Sequence, residues 1–296
     1  MRIPVIGITL GDQAGIGPEL VEKVLHSPLL PSDVQWKVIG EKVEAQPGRP
    51  TVKTAKAAWD ALETAAAMMN TGELDAVVTA PVAKNQLQSV GYRWPGQTEF
   101  FAEKMHANDF AMCLSGEHLT VGLVTIHEAI HDVPALITEQ KIIQVSELLA
   151  DFCHKRGISQ PRIAISALNP HAGENGAFGD EEERIIQPAL HKLQATSRAL
   201  PALFSGPHVP DALFREAYLG QYDAIVCMYH DQGLIPLKMV DFDTAINITL
   251  GLPKPRVSPD HGTAFNIAGQ GIANPASMQR ACQVAAQIVT HDQVSL

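Results

Sequence analysis

The sequence predicts an α/β fold with a mostly parallel sheet covered by helices on both faces. Three observations carry that expectation. Short apolar, β-branched runs alternate with helical stretches along the whole chain, as they do where helical crossovers cover both faces of a parallel sheet. Several runs end in Gly- or Pro-marked turns that lead into a helix. The 296 residues are 46% hydrophobic and 18% charged, enough to bury one large core or two smaller ones and too apolar for disorder.

Each element has its own signal. "IPVIGITL" (3–10) is a continuous apolar strand, and "GDQAGIGPE" turns into a helix with Pro18 near its first turn. "EKVEAQPGRPTVK" (41–53) reads as a surface excursion, and 54–72 as a helix stopped by Gly72. "LDAVVTAPV" (74–82) and "LTVGLVTIH" (119–127) are strands, and 138–157 is a helix that again closes on Gly. "RIAISALNPH" (162–171) is a strand. In "DEEERIIQPALHKL" (180–193) Asp180 is placed to cap a helix, Glu183 to complete a capping box, and Pro188 to kink it. "DAIVCMYH" (223–230) and "AINITLG" (245–251) are strands, and 275–289 is a closing helix.

The formal net charge of −10 argues against a general nucleic-acid binder. No apolar stretch approaches the ~20 residues of a membrane span, and the N-terminal run reads as a strand and not a signal peptide. Cys113, Cys153, Cys227 and Cys282 lie far apart without a CxxC pair, as buried free thiols of a reducing compartment do. A cytoplasmic enzyme is the expectation.

His127, His171 and His230 occupy equivalent places, each at or just past the end of an apolar run. In parallel sheets ligands bind beyond the carboxyl ends of the strands. Three neutral imidazoles delivered there suit one divalent metal ion with positions left open for substrate oxygens. Lys238, Asn247 and Arg256 follow, a set able to cradle phosphate or carboxylate. In "SPDHGTAFNIAGQGIANPAS" (258–277), small residues and glycines permit close approach of a ligand, although neither this stretch nor "GDQAGIGPE" has the GxGxxG spacing of the usual dinucleotide turn.

Ordered motifs along nearly the whole chain resemble the 4-hydroxythreonine-4-phosphate dehydrogenase (PdxA) family. They are "GITLGDQAGIGPE", "VVTAPVAKNQL", "PGQTEFFA", "LNPHAGENGAFGDEE", "GPHVPDALF", "YDAIVCMYHDQGLIPLK" and "INITLGLPKPRVSPDHGTAFNIAGQGIA". The resemblance implies two α/β/α lobes with mostly parallel sheets around a central cleft, as in isocitrate and isopropylmalate dehydrogenases, with residues 1–98 plus 251–296 as a cofactor-side lobe and 99–250 as a metal and dimer lobe. It implies a divalent metal (zinc, magnesium or cobalt) on His127, His171 and His230, and substrate contacts from Gln97, Thr98, Lys238, Asn247 and Arg256. It also implies a homodimer whose subunits share the active site. "HGTA" further resembles the segment that lies along the adenosine of NAD or NADP in isopropylmalate and isocitrate dehydrogenases, which implies cofactor contacts from His261, Gly262, Thr263, Ala264 and Asn274.

The implied reaction is metal-assisted, NAD(P)-dependent oxidation of 4-phosphooxy-L-threonine at C3, followed by decarboxylation. Lys84 and Asp231 are the two candidates for the base, and Asp231 is equally placed to orient His230. Gln97 stands where the family usually has His, so this position cannot become cationic. "HEAIHDV" (127–133) departs from the family's "HxPLRDV" and brings in Glu128 and His131. Gln13 stands where Pro is usual, and the chain before residue 54 is short for the family. Two other functions fit some of these residues. One is a related dehydrogenase of another phosphorylated hydroxy acid, such as 4-phospho-threonate or 4-phospho-erythronate, or of a dihydrodiol. The other is a metal-dependent phosphoester hydrolase or phosphometabolite binder, which would have no use for the HGTA segment.

Overall fold

The structure, a computed structural model, describes residues 2–196 and 201–294. It divides into two compact units, residues 1–108 with 246–296 and residues 109–245. The sequence put the boundaries near 98 and 250.

The first unit opens with β1 (Val5–Thr9), α1 (Gly17–Leu25), β2 (Gln35–Ile39), α2 (Val52–Thr71), β3 (Ala76–Thr79), α3 (Lys84–Ser89) and α4 (Gln97–Lys104). The second contains β4 (Ala111–Ser115), β5 (Thr120–Leu123), α5 (Val133–Leu136), α6 (Glu139–Lys155), β6 (Arg162–Ser166), α7 (Gln187–Thr196), β7 (Leu203–His208), α8 (Pro210–Tyr218), β8 (Ala224–Cys227) and α9 (His230–Asp241). The chain then returns to the first unit with β9 (Ile246–Leu250), β10 (Arg256–Pro259) and α10 (Ala276–Val294).

Strands of the first unit run in the order β2-β1-β3-β10-β9, parallel except for the antiparallel β10–β9 pair. Ile6 and Ile8 of β1 and Val77 and Val78 of β3 are buried, as expected of strands covered on both faces. The second unit has the order β4-β5-β8-β6-β7, parallel except for β4–β5. Its core joins Val121, Leu123, Ile225 and Cys227 to Leu234 and Leu237 of α9. Gly122 lets α6 press on β5, since a Cβ there would stand 3.1 Å from a Val145 methyl. All four cysteines are buried free thiols.

Local readings needed correction. The strands are shorter than the apolar runs, because each run includes the residues that turn beyond the sheet; β5 stops at Leu123 and β8 at Cys227. Residues 230–241, which carry no predicted element beyond His230, form α9 despite Gly233 and Pro236. Burial against β5 and β8 overrides local propensity here: a Cβ on Gly233 would meet Cys227 Sγ at 3.0 Å. Asp180 makes no side-chain cap, and its carboxylate faces Arg184 instead. A π turn at Glu182–Ile186 runs into α7 where a kink at Pro188 was expected. A wider turn is one way a helix accommodates the N–H that proline lacks.

Gln13 also has a definite task. Its amide donates to the Glu41 carbonyl at 2.6 Å and accepts from Val43 N–H at 3.0 Å, tying the short 41–53 excursion to the loop before α1.

Candidate active site

In the second unit β5, β8 and β6 are adjacent and parallel, so the chain leaves all three at one rim. Side chains fix these exits. Thr125 Oγ1 donates to the Met228 carbonyl at 2.7 Å, joining the exits of β5 and β8. Gln232 accepts from Met228 N–H and donates to the Ala167 carbonyl, both at 2.7 Å, joining the exits of β8 and β6. Gln232 is buried, where an unmade hydrogen bond is costly, so the amide holds a unique register.

On this support the His127 and His230 rings come to 5.6 Å between centroids. Both line a cleft of about 360 Å³ together with Glu128, Tyr229 and Asp231. His230 Nδ1 lies 2.6 Å from Asp231 Oδ1, which orients the ring and leaves Nε2 for another partner. Two imidazoles and an orienting carboxylate are a fitting donor set for a borderline divalent ion.

His171 follows the β6 exit as expected, but its ring turns outward. Its side chain is 67% exposed, pairs with Glu174 at 3.0 Å and meets the Phe178 ring edge-on. Among the described residues no three His, Cys, Asp or Glu side chains are grouped to hold a metal. The structure thus brings together two of the three histidines. Of the two departures nearby, Glu128 lines the cleft, whereas His131 is exposed beside Asp132. Lys238 lies in the last turn of α9.

The first unit holds a different site. Arg256 is 3% exposed, and its Nε and Nη2 both donate to Thr79 Oγ1, at 3.1 and 2.8 Å. Among the described residues no carboxylate lies within ion-pair distance of it. Burial pushes the guanidinium down to about 10, against the opposing influence of Tyr92 and Glu99. A buried cation without an anion is costly unless a ligand supplies one.

Its neighbours are polar and buried. Arg256 pairs across the ladder with Thr249, whose hydroxyl lies 3.3 Å from that of Thr98 at the start of α4. Ser258 pairs with Asn247 on the same face, because opposite residues of an antiparallel pair point the same way. The amide oxygens of Asn247 and Gln97 are buried without a partner among the described residues. Thr79 and Thr249 were missed from sequence. A threonine at a strand end is too common to be a signal, and only strand pairing sets these two beside the arginine.

Lys84, one candidate base, opens α3 as an exposed side chain, and Asp231, the other, is 68% exposed beside His230. In the HGTA segment the Thr263 carbonyl accepts from Ile16 N–H, which packs the segment against the loop before α1. A Cβ on Gly262 would meet nothing within 4 Å, and His261 Nε2 is buried without a partner among the described residues. Open space and an unused ring nitrogen fit a nucleotide that approaches the backbone closely. Asn274 is otherwise engaged, since its Oδ1 accepts from Ala276 N–H at the start of α10.

This fold and these strand-end sites define an α/β protein of the isocitrate dehydrogenase fold. Isocitrate dehydrogenase from Methylococcus capsulatus superposes with a TM-score of 0.55 at 14% identity, over 98% of this chain and 86% of that one. The chain belongs to the PdxA family, whose model, pyridoxal phosphate biosynthetic protein PdxA, matches residues 20–285. It is 39% identical to 4-hydroxythreonine-4-phosphate dehydrogenase of Geobacter metallireducens, over 96% of this chain and 95% of that protein. The enzyme of the same name from Bradyrhizobium diazoefficiens is 46% identical over 84% and 72%. The solved structure of 4-hydroxythreonine-4-phosphate dehydrogenase from Klebsiella pneumoniae has a TM-score of 0.85 at 34% identity, covering 97% of this chain and 98% of that one.

Proposed function

We propose that this chain oxidises 4-phosphooxy-L-threonine to 2-amino-3-oxo-4-(phosphooxy)butanoate with NAD or NADP, and that the product decarboxylates to 3-amino-2-oxopropyl phosphate during pyridoxal phosphate biosynthesis. The observation that carries this reading is Arg256, a buried guanidinium without an anionic partner among the described residues, in a family of phosphate-ester dehydrogenases.

Arg256 receives an anionic end of the substrate, and Thr98 orients it by its hydroxyl. The unpaired oxygens of Gln97 and Asn247 accept from substrate N–H or O–H groups. Lys238 supplies further positive charge. His127 and His230, with His171 contributed across a homodimer, would hold one divalent ion, with zinc, magnesium and cobalt all suited to imidazole or substrate oxygens. When bound, that ion lowers the pKa of a coordinated hydroxyl and polarises a carbonyl. Bound NAD or NADP would supply the hydride acceptor for C3, and Lys84 or Asp231 would take the hydroxyl proton as base. The resulting β-keto acid then loses CO2. His261, Gly262, Thr263 and Ala264 take the adenosine side of the cofactor.

An apolar face of α9 supports the homodimer. Ile235 and Met239 on the helix that begins at His230, and Phe242 at its C-cap, are 58%, 80% and 74% exposed. Large exposed apolar side chains on one element mark an association surface. No helix among the described residues is long and apolar enough to cross a membrane. A cytosolic enzyme is in keeping with four buried free thiols.

The test uses purified protein, NAD+ or NADP+, a divalent metal and 4-phosphooxy-L-threonine, followed at the reduced-nicotinamide absorbance. Turnover supports the reading. Turnover only of 4-phospho-threonate or 4-phospho-erythronate would move the enzyme to a related substrate, to which the neutral Gln97 amide is the pointer. Phosphate release without cofactor would make it a hydrolase.

A further inference from the structure

Six consecutive residues after β6 have positive φ: His171 (52°), Ala172 (54°), Gly173 (80°), Glu174 (42°), Asn175 (55°) and Gly176 (86°). Four of these carry side chains, and a left-handed turn costs an L-residue roughly 1–2 kcal/mol each. Such strain persists only where surrounding structure over-determines it. The residue that supplies the constraint is Glu182.

Glu182 is 6% exposed. Its Oε1 accepts from Leu168 N–H and Asn169 N–H, both at 2.8 Å, and its Oε2 accepts from Asn169 Nδ2 at 3.0 Å. Only Pro170 separates these residues from the left-handed run. Glu182 also packs against its middle, because a Cβ on Gly173 would lie 2.8 Å from Oε2. Asn169 is held a second time by Glu181 Oε2 at 2.7 Å. No cation pairs with Glu182 in an ion pair among the described residues. Its charge is met by three N–H donors and by its place in the first turn of the helix that follows. A carboxylate so placed fixes the direction in which the turn leaves β6, and therefore where His171 points.

We infer that Glu182 is a positioning residue: it locks the left-handed turn that presents His171 outward, in the orientation metal binding requires. The inference rests on the proposed role of His171 as a ligand. Glu182 itself touches neither substrate nor metal.

The test compares metal-free wild type with Glu182→Gln, which puts an NH2 group against N–H donors, and with Gly173→Ala, which crowds the same carboxylate from the other side. Leu149→Ala, in the buried face of α6, controls for general destabilisation. Cobalt(II) binding is followed by titration and by its visible absorption, and amide hydrogen exchange is followed over residues 168–176. Both turn variants should bind cobalt at least tenfold more weakly, with an altered spectrum and faster exchange at 168–176. Leu149→Ala should keep wild-type affinity and spectrum. Wild-type affinity and exchange in Glu182→Gln would overturn the inference, and so would equal weakening in Leu149→Ala. If Glu182→Gln does not fold, Gly173→Ala decides alone by the same readouts. Wild type that binds no cobalt would instead refute the metal reading, and exchange at 168–176 would still report whether Glu182 holds the turn.

Discussion

Two N–H groups of Arg256 converge on one oxygen, the hydroxyl of Thr79. That contact aims the guanidinium without neutralising it. Arg256→Met should abolish binding of the phosphorylated substrate yet raise Tm by roughly 2–4 °C, because a buried, unpaired cation destabilises the folded chain. Arg256→Lys should raise KM about 10–100-fold, as one ammonium cannot both anchor on Thr79 and bind an anion in the arginine's geometry. Steady-state kinetics and thermal melts check both outcomes.

The same burial fixes a pH dependence. Burial lowers the pH at which the folded chain loses the Arg256 proton to about 10, while the unfolded chain keeps it to the higher pH ordinary for a guanidinium. Between those values the unfolded state binds more protons, so this group adds stability with rising pH while affinity for the anion falls. KM should climb above pH about 10 for wild type, and the Arg256→Met variant should show no such stability gain.

Asp231→Asn should weaken metal binding about 10–100-fold with the fold intact, since the carboxylate orients the His230 ring. Isothermal titration of the metal-free protein is the measurement. Unchanged affinity would leave Asp231 as a candidate base alone.

At the other end of β8, the Asp223 carboxylate takes Arg162 N–H at 2.7 Å and the Arg162 guanidinium at 2.9 and 3.1 Å. Burial raises the pKa of Asp223, but the Arg162 hydrogen bonds outweigh it and hold the pKa below the usual carboxylate value. Stability from this pair is present above the ordinary aspartate range and is lost as pH falls through the lowered value. Asp223→Asn should cost about 1 kcal/mol at neutral pH, allowing for solvent screening, and should flatten the acid limb of the unfolding curve.

If the proposed homodimer forms through α9, Met239→Asp on its exposed face should leave a monomer in light scattering, where wild type gives a dimer, and abolish turnover together. A monomer with full activity would refute the shared site.

Much of this was written in local chemistry. Alternating apolar and helical stretches set the α/β class, because burial on both faces requires continuous apolar strands whatever their neighbours. The endings of those runs put His127, His171 and His230 at strand exits, and the chain's motifs placed it in a family. Gln232 gave no signal of its own, because an amide that joins two strand exits is an ordinary glutamine until β8 is known to lie beside β6. Helix α9 was hidden by Gly233 and Pro236, whose local penalties packing overcame.

The order of strands, the pairing of Arg256 with Thr79 and Thr249, and the outward turn of His171 were decided only by tertiary structure. A sequence states which residues want burial and which carry chemistry. It does not state strand order, and strand order determines which distant side chains face each other. For Arg256 that order supplied hydroxyls and, among the described residues, no carboxylate, which is what supports the proposal that this buried arginine seats an anion.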